Sequence, residues 1–440
     1  MSDDFSSRLP GFYKLKVEER VAKIASLCQL TSEEAGALYG QAGLPLETAD
    51  RMIENAVGVL GLPLGLGLNF QINGRDFIVP MAVEEPSVIA AVSFAAKIVR
   101  DGGGFTAEAD DALMVGQIQV THFGDAQQAR STLLEHKEEL LALANSFHPA
   151  MQRRGGGAKD LEVRLLEAPE GPQAEPLLVV QILIDTQDAM GANLINTVAE
   201  GVAPFVERLT GGKVFLRILS NLCDRRLARA TCRIPVPLLA DFGMTGDEVA
   251  RGIHQASRFA LADPYRAATH NKGVMNGVDA VAIATGNDWR AIEAGAHAFA
   301  ARHGRYGPLS TWVVEDSALV GRIELPLAVG TVGGPIKVHP AVKLAHKILG
   351  AANAKDLAKV MAAVGLAQNL AALRALGSVG IQKGHMALHA RCVAVEAGAR
   401  GEQVERLADL LVKAGAGHVK VEKARELLKS LPPLPTGTTG

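Results

Sequence analysis

The sequence predicts an α+β protein in which a large helix-rich domain is interrupted by an inserted ferredoxin-like unit of order β-α-β-β-α-β. Three observations carry that expectation. Between about residues 114 and 224 the hydrophobic pattern runs strand, helix, strand, strand, helix, strand, with a clean start and finish. On both sides of that run the helical period dominates. Ahead of it, Asn73-Gly74 between two short apolar runs marks a tight hairpin.

In chain order, residues 1–60 read as helical, with a capping box at Thr31-x-x-Glu34. The hairpin joins Asn69-Phe70-Gln71-Ile72 to Phe77-Ile78-Val79-Pro80, and its turn residues tolerate positive φ. Pro86 takes the expected first position of an alanine-rich helix, Ser87 to Arg100, which the glycines at 102–104 end. Inside the insertion, Met114–Val120 is a strand and Asp125–Phe147 an amphipathic helix. A loop at 153–157, strands near 161–167 and 177–185, a helix at 191–209 and a strand at 213–219 complete it. Beyond lie a strand at Arg226–Ile234, helices at 247–261, 272–285 and 289–302, and a strand pair near 310–325. A glycine-rich loop over 327–334 and helices to the end follow. Residues 432–440, rich in Pro, Gly and Thr, have the composition of a disordered tail. The expected divisions are 1–113 and 225–378 for the large domain, 114–224 for the insertion, 379–430 for a C-terminal unit and 431–440 for the tail.

Composition narrows the function. The 440 residues carry a net charge of -2 with 21% charged side chains, so there is no electrostatic case for nucleic acid or an anionic membrane. Cys28, Cys223, Cys232 and Cys392 show neither C-x-x-C nor zinc-finger spacing, which points to reduced thiols. Met1 to Pro10 is polar and acidic, unlike a signal peptide, and no apolar run approaches the ~20 residues of a membrane span. The expectation is a soluble cytoplasmic protein.

Four constellations carry chemistry. In the run from Asp263 to Gly273, Lys272 follows Asn271, a good N-cap, and Asp288 opens the next helix. A Lys and an Asp at adjacent helix starts can meet, either as a structural ion pair or to stabilise a developing oxyanion. Val83-Glu84-Glu85-Pro86-Ser87 sets two acids before a helix, where they complement its dipole; alternatively Glu85, in a pocket, donates a proton. The stretch from Asp188 to Thr197 follows an apolar strand and opens a helix. Its small residues make a tight turn or cradle a phosphate, outside the usual G-x-G-x-x-G scheme, which the chain lacks. His385 and His389 stand at i, i+4. That suits zinc, but no third ligand is evident, and His385 as a general acid on a glycine-hinged segment (Gly377, Gly380, Gly384) is more economical. Lys14, Lys16, Arg153 and Arg154 either meet nucleotide phosphates or are solvated charges.

Taken together these segments resemble the second, bacterial and archaeal class of hydroxymethylglutaryl-CoA reductases, over nearly the whole chain. The motifs are Met52-Ile53-Glu54-Asn55, Asn69 to Arg75, Val83 to Ser87, Asp188 to Asn193, Arg217-Ile218-Leu219-Ser220-Asn221, Tyr265 to Asn276, Thr285 to Trp289 and Gly384-His385-Met386. The resemblance implies catalytic roles for Glu85, Lys272, Asp288 and His385. It puts substrate contacts on Ser87, Arg266, Asn221 and Asn276, with Gln368 near the reacting centre. Nucleotide contacts fall on Asp188, Met190, Gly191 and Asn193.

By the same resemblance the insertion binds a nicotinamide dinucleotide and the C-terminal segment is a helical flap. The active site is assembled across a homodimer, with no metal. The implied reaction interconverts HMG-CoA with mevalonate and CoA, using two dinucleotides. Some NADH-using relatives carry an Asp after the insertion's first helix. Here His148 stands at about that place, with Arg153 and Arg154 behind it, which leans toward NADPH, NADH or dual use being the alternative. Two other classes stay in view: a metal-dependent acyl-CoA hydrolase using His385 and His389, and a nucleotide- or CoA-binding protein without catalysis. Neither the direction of the reaction nor an order beyond the dimer is readable from the chain.

Overall fold

The computed structural model describes residues 5–39, 43–171, 174–241, 243–378, 381–415 and 418–431, with side chains for all of these except Pro335 and 381–388. Three short helices lead in: α1 (Val17–Leu27), α2 (Ser32–Leu38) and α3 (Leu46–Met52). The Thr31–Glu34 capping box closes α2 as expected, Thr31 N–H donating to Glu34 at 2.7 Å. β1 (Leu64–Ile72) and β2 (Arg75–Ala82) form the hairpin, with Asn73 at φ 50° and Gly74 at φ 78°, the positive pair a type I′ turn requires.

Helix α4 (Val88–Asp101) begins two residues after Pro86, so Pro86 is not its first residue. Ser87 turns left-handed instead, at φ 77°, and reorients the chain before the helix can start. Strand β3 (Phe105–Ala109) then leads into the insertion.

The insertion holds β4 (Leu113–Thr121), α5 (Ala126–Glu135), α6 (Lys137–Ser146), α7 (Pro149–Arg153), β5 (Gly157–Leu166), β6 (Leu177–Asp185), α8 (Ala192–Thr210) and β7 (Lys213–Leu219). Its sheet order is β5-β6-β4-β7, antiparallel throughout, which is the ferredoxin-like arrangement. The helix expected over Asp125–Phe147 is two. It breaks at His136, whose backbone leaves helical geometry and whose ring Nδ1 lies 2.9 Å from the Thr132 carbonyl. The loop expected at 153–157 is narrower, because Pro149 nucleates a further turn of helix ahead of it. Met114, Ile118, Leu133, Leu140, Leu178, Ile182, Ile195 and Val202 build a core separate from that of the larger unit.

The chain returns as β8 (Leu227–Pro235), antiparallel to β3, with Phe105 opposite Cys232 and Ala109 opposite Ala228. Next come α9 (Gly246–Ala262), α10 (Pro264–Ala284), α11 (Trp289–Ala300), β9 (Ser310–Glu315) and β10 (Ala318–Pro326), completing a six-stranded sheet of order β2-β1-β3-β8-β10-β9. Then follow α12 (Pro340–Leu349), α13 (Ala354–Leu376), α14 (Ile381–Glu396), α15 (Glu402–Ala414) and α16 (Val421–Leu428), of which the last three share a small core of their own. No helix among the described residues is long and apolar enough to cross a membrane.

Helix α13 is buried on nearly every face and packs on α4, α9, α10, β3, β8 and β10. Its crossing with α10 is close because glycines face it. A Cβ on Gly277 would lie 3.0 Å from Gln368 Cβ and 3.1 Å from the Val364 carbonyl, and one on Gly365 would lie 3.0 Å from Val278. Overpacking here has no flexible side-chain tip to displace. Gly277→Val is expected to lower unfolding free energy by about 1–3 kcal/mol, read from urea midpoints, with Gly277→Ala milder. An unchanged midpoint in the valine variant would show that the crossing can open.

Candidate functional site

The helix carrying Lys272 starts earlier than its local sequence suggests. Asp263 caps α10 by accepting Arg266 N–H at 2.9 Å, and Pro264 occupies the first helical position, a stronger start than Asn271 offers. Lys272 therefore stands in mid-helix. Asn271 is buried: its amide donates to Tyr306 Oη (3.0 Å) and the Gly307 carbonyl (2.9 Å), and its oxygen accepts Leu309 N–H at 2.8 Å. The expected meeting of Lys272 and Asp288 at neighbouring helix starts does not occur within this chain. At ~1.5 Å per residue, the helix from Lys272 to Ala284 puts ~18 Å between them.

The partner of Lys272 is Glu85, Nζ to Oε2 at 2.7 Å. Strand β2 ends at Ala82, so Glu85 lies in the turn that delivers the chain to α4, and β2 packs against α10. In the same turn the Ser87 hydroxyl is buried without a hydrogen-bond partner among the described residues. A left-handed, non-glycine residue holding an unsatisfied buried hydroxyl is costly, and such strain concentrates at binding sites. Asn276 follows Lys272 by one helical turn and so shares its face. Across the glycine crossing, Gln368 is buried with its side-chain carbonyl unpartnered. Arg266 is half-buried, and burial pulls its guanidinium below its usual value. The middle of α10 thus gathers a cation, a carboxylate and polar groups held ready for a ligand.

The C-terminal end of α10 gathers a second set. Asp288 caps α11, its Oδ1 accepting Arg290 and Ala291 N–H at 3.2 Å each, and it pairs with the Arg290 guanidinium. Asn221, exposed just beyond β7, lays its carbonyl against Gly295 of α11, where a Cβ would come within 2.7 Å.

The 188–193 turn stands at the head of α8. Gly191 caps that helix at φ 95° without any side-chain acceptor, leaving its first N–H groups available to an anion. Met190 N lies against Gly330, and the Asp188 carboxylate accepts Ala354 N–H at 2.9 Å at the start of α13. Asn193 is exposed on the first turn of α8 and accepts the Thr197 hydroxyl through its carbonyl. The basic loop abuts this turn, since a Cβ on Gly156 would lie 2.7 Å from the Asp185 carbonyl and 2.9 Å from Gln187. Arg154 is exposed there, and the His148 Nε2 is buried with no partner among the described residues. An uncapped glycine helix start fits the phosphate-bearing end of a dinucleotide.

His385 falls on α14, and the side chains of 381–388 lie outside the described residues, as does Gly380. His389 is exposed. No group of three or more His, Cys, Asp or Glu residues able to hold a metal ion occurs among the described residues.

A model of the hydroxymethylglutaryl-coenzyme A reductase family matches residues 16–390. The chain belongs to that family. It is 51% identical to the 3-hydroxy-3-methylglutaryl-coenzyme A reductase of Archaeoglobus fulgidus, over 97% of this chain and 95% of the relative. A solved reductase from Streptococcus pneumoniae superposes with a TM-score of 0.81 at 43% identity, covering 96% of this chain and 99% of that one. A class II reductase from the same organism, bound to NADPH in open conformations, matches with a TM-score of 0.80 at 45% identity, over 84% and 99%. The chain is a class II member of this oxidoreductase family, with the α+β fold expected of it.

Sequence reading missed a half-buried acid pair between α10 and α11. Asp279 of α10 shares a hydrogen bond with Glu293 of α11, and Glu293 pairs in turn with His297, whose Nδ1 lies 2.7 Å from Tyr306 Oη. Burial, then Glu293, pushes the Asp279 carboxyl up to about 9, while His297 holds Glu293 below its ordinary range. A polar residue in an apolar helical stripe was the only signal. Between its ordinary 3.8 and about 9, Asp279 keeps its proton folded and loses it unfolded. Its stabilising contribution is therefore complete below the ordinary value and is lost as pH rises toward the folded one. Asp279→Asn should gain stability over the parent as pH is raised between these limits, in urea unfolding at a series of pH values. A difference that does not vary with pH would show that Asp279 does not hold its proton.

Proposed function

We propose that this chain catalyses the four-electron interconversion of HMG-CoA with mevalonate and CoA, through mevaldyl-CoA and mevaldehyde. The 2.7 Å contact of Lys272 with Glu85 carries this reading. Reduction of a thioester carbonyl creates an oxyanion, and a fixed ammonium is the group that stabilises it. Glu85, hydrogen-bonded to that ammonium, is placed to deliver a proton when the aldehyde becomes an alcohol. The unsatisfied Ser87 hydroxyl, Arg266, Asn276 and Gln368 line up as contacts for the acyl carboxylate and hydroxyl. His385 protonates the departing CoA thiolate so that it cannot re-add.

A nicotinamide dinucleotide supplies the hydride when bound. The 188–193 turn receives it by Asp188, Met190, Gly191 and Asn193, and the loop with His148 and Arg154 favours a 2′-phosphate, hence NADPH over NADH. Residues 1–113 and 225–378 form the acyl-CoA domain, 114–224 the dinucleotide domain and 379–430 the closing flap. Because Asp288 lies beyond the C-terminal end of α10, ~18 Å along the helix from the Glu85–Lys272 pair, one chain holds two incomplete halves. A homodimer, or an oligomer of dimers, completes them by setting Asp288 of one copy beside Lys272 of another. We place the enzyme in the cytoplasm, in keeping with its four free thiols.

The deciding experiment is anaerobic turnover of HMG-CoA with NADPH and NADH in parallel, counting dinucleotide oxidised and thiol released. Two dinucleotides per thiol establishes the reaction, and thiol release without oxidation refutes it. Lys272→Ala is expected to abolish reduction of both HMG-CoA and free mevaldehyde. His385→Ala is expected to block thiolate release and to spare mevaldehyde. Equal loss of both half-reactions in the histidine variant would overturn that division of labour.

A further inference from the structure

Two buried polar side chains outside both halves of the site bind the dinucleotide turn to the turn that carries Asp288. The first is Asn287, 9% exposed. Its oxygen accepts Gly330 N–H at 2.7 Å and its nitrogen donates to the Gly330 carbonyl at 3.2 Å, so it reads both backbone groups of one residue. The same nitrogen reaches the Thr285 hydroxyl at 3.0 Å, which ties the pair back to the end of α10. Gly330 in turn is the wall behind Met190: a Cβ there would stand 2.7 Å from Met190 N and 3.1 Å from the Asp188 carbonyl. The next residues continue the contact. Thr331 N–H donates to the Asp188 carbonyl at 2.9 Å, and Ala189 bridges to Val332.

The second is Arg226, 5% exposed, where the chain leaves the insertion for β8. Its guanidinium donates to the Thr186 hydroxyl (3.1 Å) and the Ala189 carbonyl (3.3 Å) on the insertion side, and to the Val329 carbonyl on the other. Burial lowers it to about 10, so it remains charged at neutral pH among these dipoles. The planar fork suits three divergent acceptors in a way a lysine does not.

We infer that Asn287 and Arg226 are positioning residues. They clamp the 188–191 turn, through Val329 and Gly330, in fixed register with Asp288, so that dinucleotide and Asp288 are set against each other by one buried hydrogen-bond cluster. This rests on the reading that the turn receives the dinucleotide. Neither residue needs to touch dinucleotide or substrate. A hydride must approach its acceptor within a few tenths of an ångström of the productive geometry, and two domains joined at a surface would not hold that alone.

The test is direct titration of NADPH fluorescence, and separately of HMG-CoA binding by calorimetry, on the full chain with Asn287→Ala, Gly330→Ala and Arg226→Lys. Losing a buried hydrogen-bonded pair corresponds to about a tenfold change in affinity. NADPH affinity is expected to fall by that order in Asn287→Ala and Gly330→Ala while HMG-CoA affinity stays within about twofold. Gly330→Ala keeps the Asn287 side chain and acts by forcing a Cβ against Met190 N, so agreement between the two shows that the position of the turn, and not the Asn287 side chain as such, sets the affinity. Arg226→Lys, which keeps charge and one contact, should fall between them and the parent. In turnover, the primary isotope effect with 4-deuterated NADPH should rise in the variants as hydride transfer slows. Unchanged NADPH affinity in folded Asn287→Ala and Gly330→Ala overturns the inference, and so does equal loss of NADPH and HMG-CoA binding. A parent chain that binds NADPH yet leaves HMG-CoA unreduced would refute the proposed reaction, and the titrations would still decide the clamp.

Discussion

The close crossing of α10 and α13 is the constraint on which the rest of the molecule depends. Glycines on both helices let two backbones approach where ordinary side chains would hold them apart. Helix α13 is thereby sunk into the core, against strands of the large sheet and against α4 and α9. Helix α10 lies over it and carries Lys272, Asn276 and Asp279 along one face, so the site inherits its rigidity from the core. The same crossing seats Gln368 beside Gly277, which explains how a polar side chain reaches the site from the most buried helix of the protein.

Polar burial in this chain falls into two kinds with different consequences. Asn271, Asn287 and Arg226 are hydrogen-bonded to named partners. They hold elements in register and pay their desolvation cost with internal bonds. The Ser87 hydroxyl, the Gln368 carbonyl oxygen and the His148 Nε2 have no such partners among the described residues. These three lie where substrate and dinucleotide contacts are proposed.

Much of this was legible in the sequence, and the failures have physical causes. The insertion was readable because six elements alternate period and each is bounded by turn residues; the hairpin was readable because Asn73-Gly74 admits almost no other turn. The start of α10 was misplaced because Asn271 has the chemistry of a cap, and its real partners lie some 35 residues away at Tyr306 and Gly307. The break at His136 left no glycine or proline to mark it. Motif resemblance gathered the candidate residues into one reaction. It did not reveal that a single chain keeps Lys272 and Asp288 apart, or that Asn287 matters as much for what it holds as for its neighbour.

The antiparallel pairing of β3 with β8 has a consequence for how such an insertion can exist. The two strands are the exit and entry points of more than a hundred residues, yet they sit side by side in register from Phe105–Cys232 to Ala109–Ala228. To the large sheet, the whole inserted unit is the loop of a hairpin. Loop-closure entropy grows only logarithmically, each doubling of length costing about 0.6 kcal/mol, so so long a loop is a small burden on that pairing. Once the insertion folds on its own core, its ends are already held near each other and even that burden shrinks. A second folding unit could therefore be accommodated between neighbouring strands with little thermodynamic disturbance to the first.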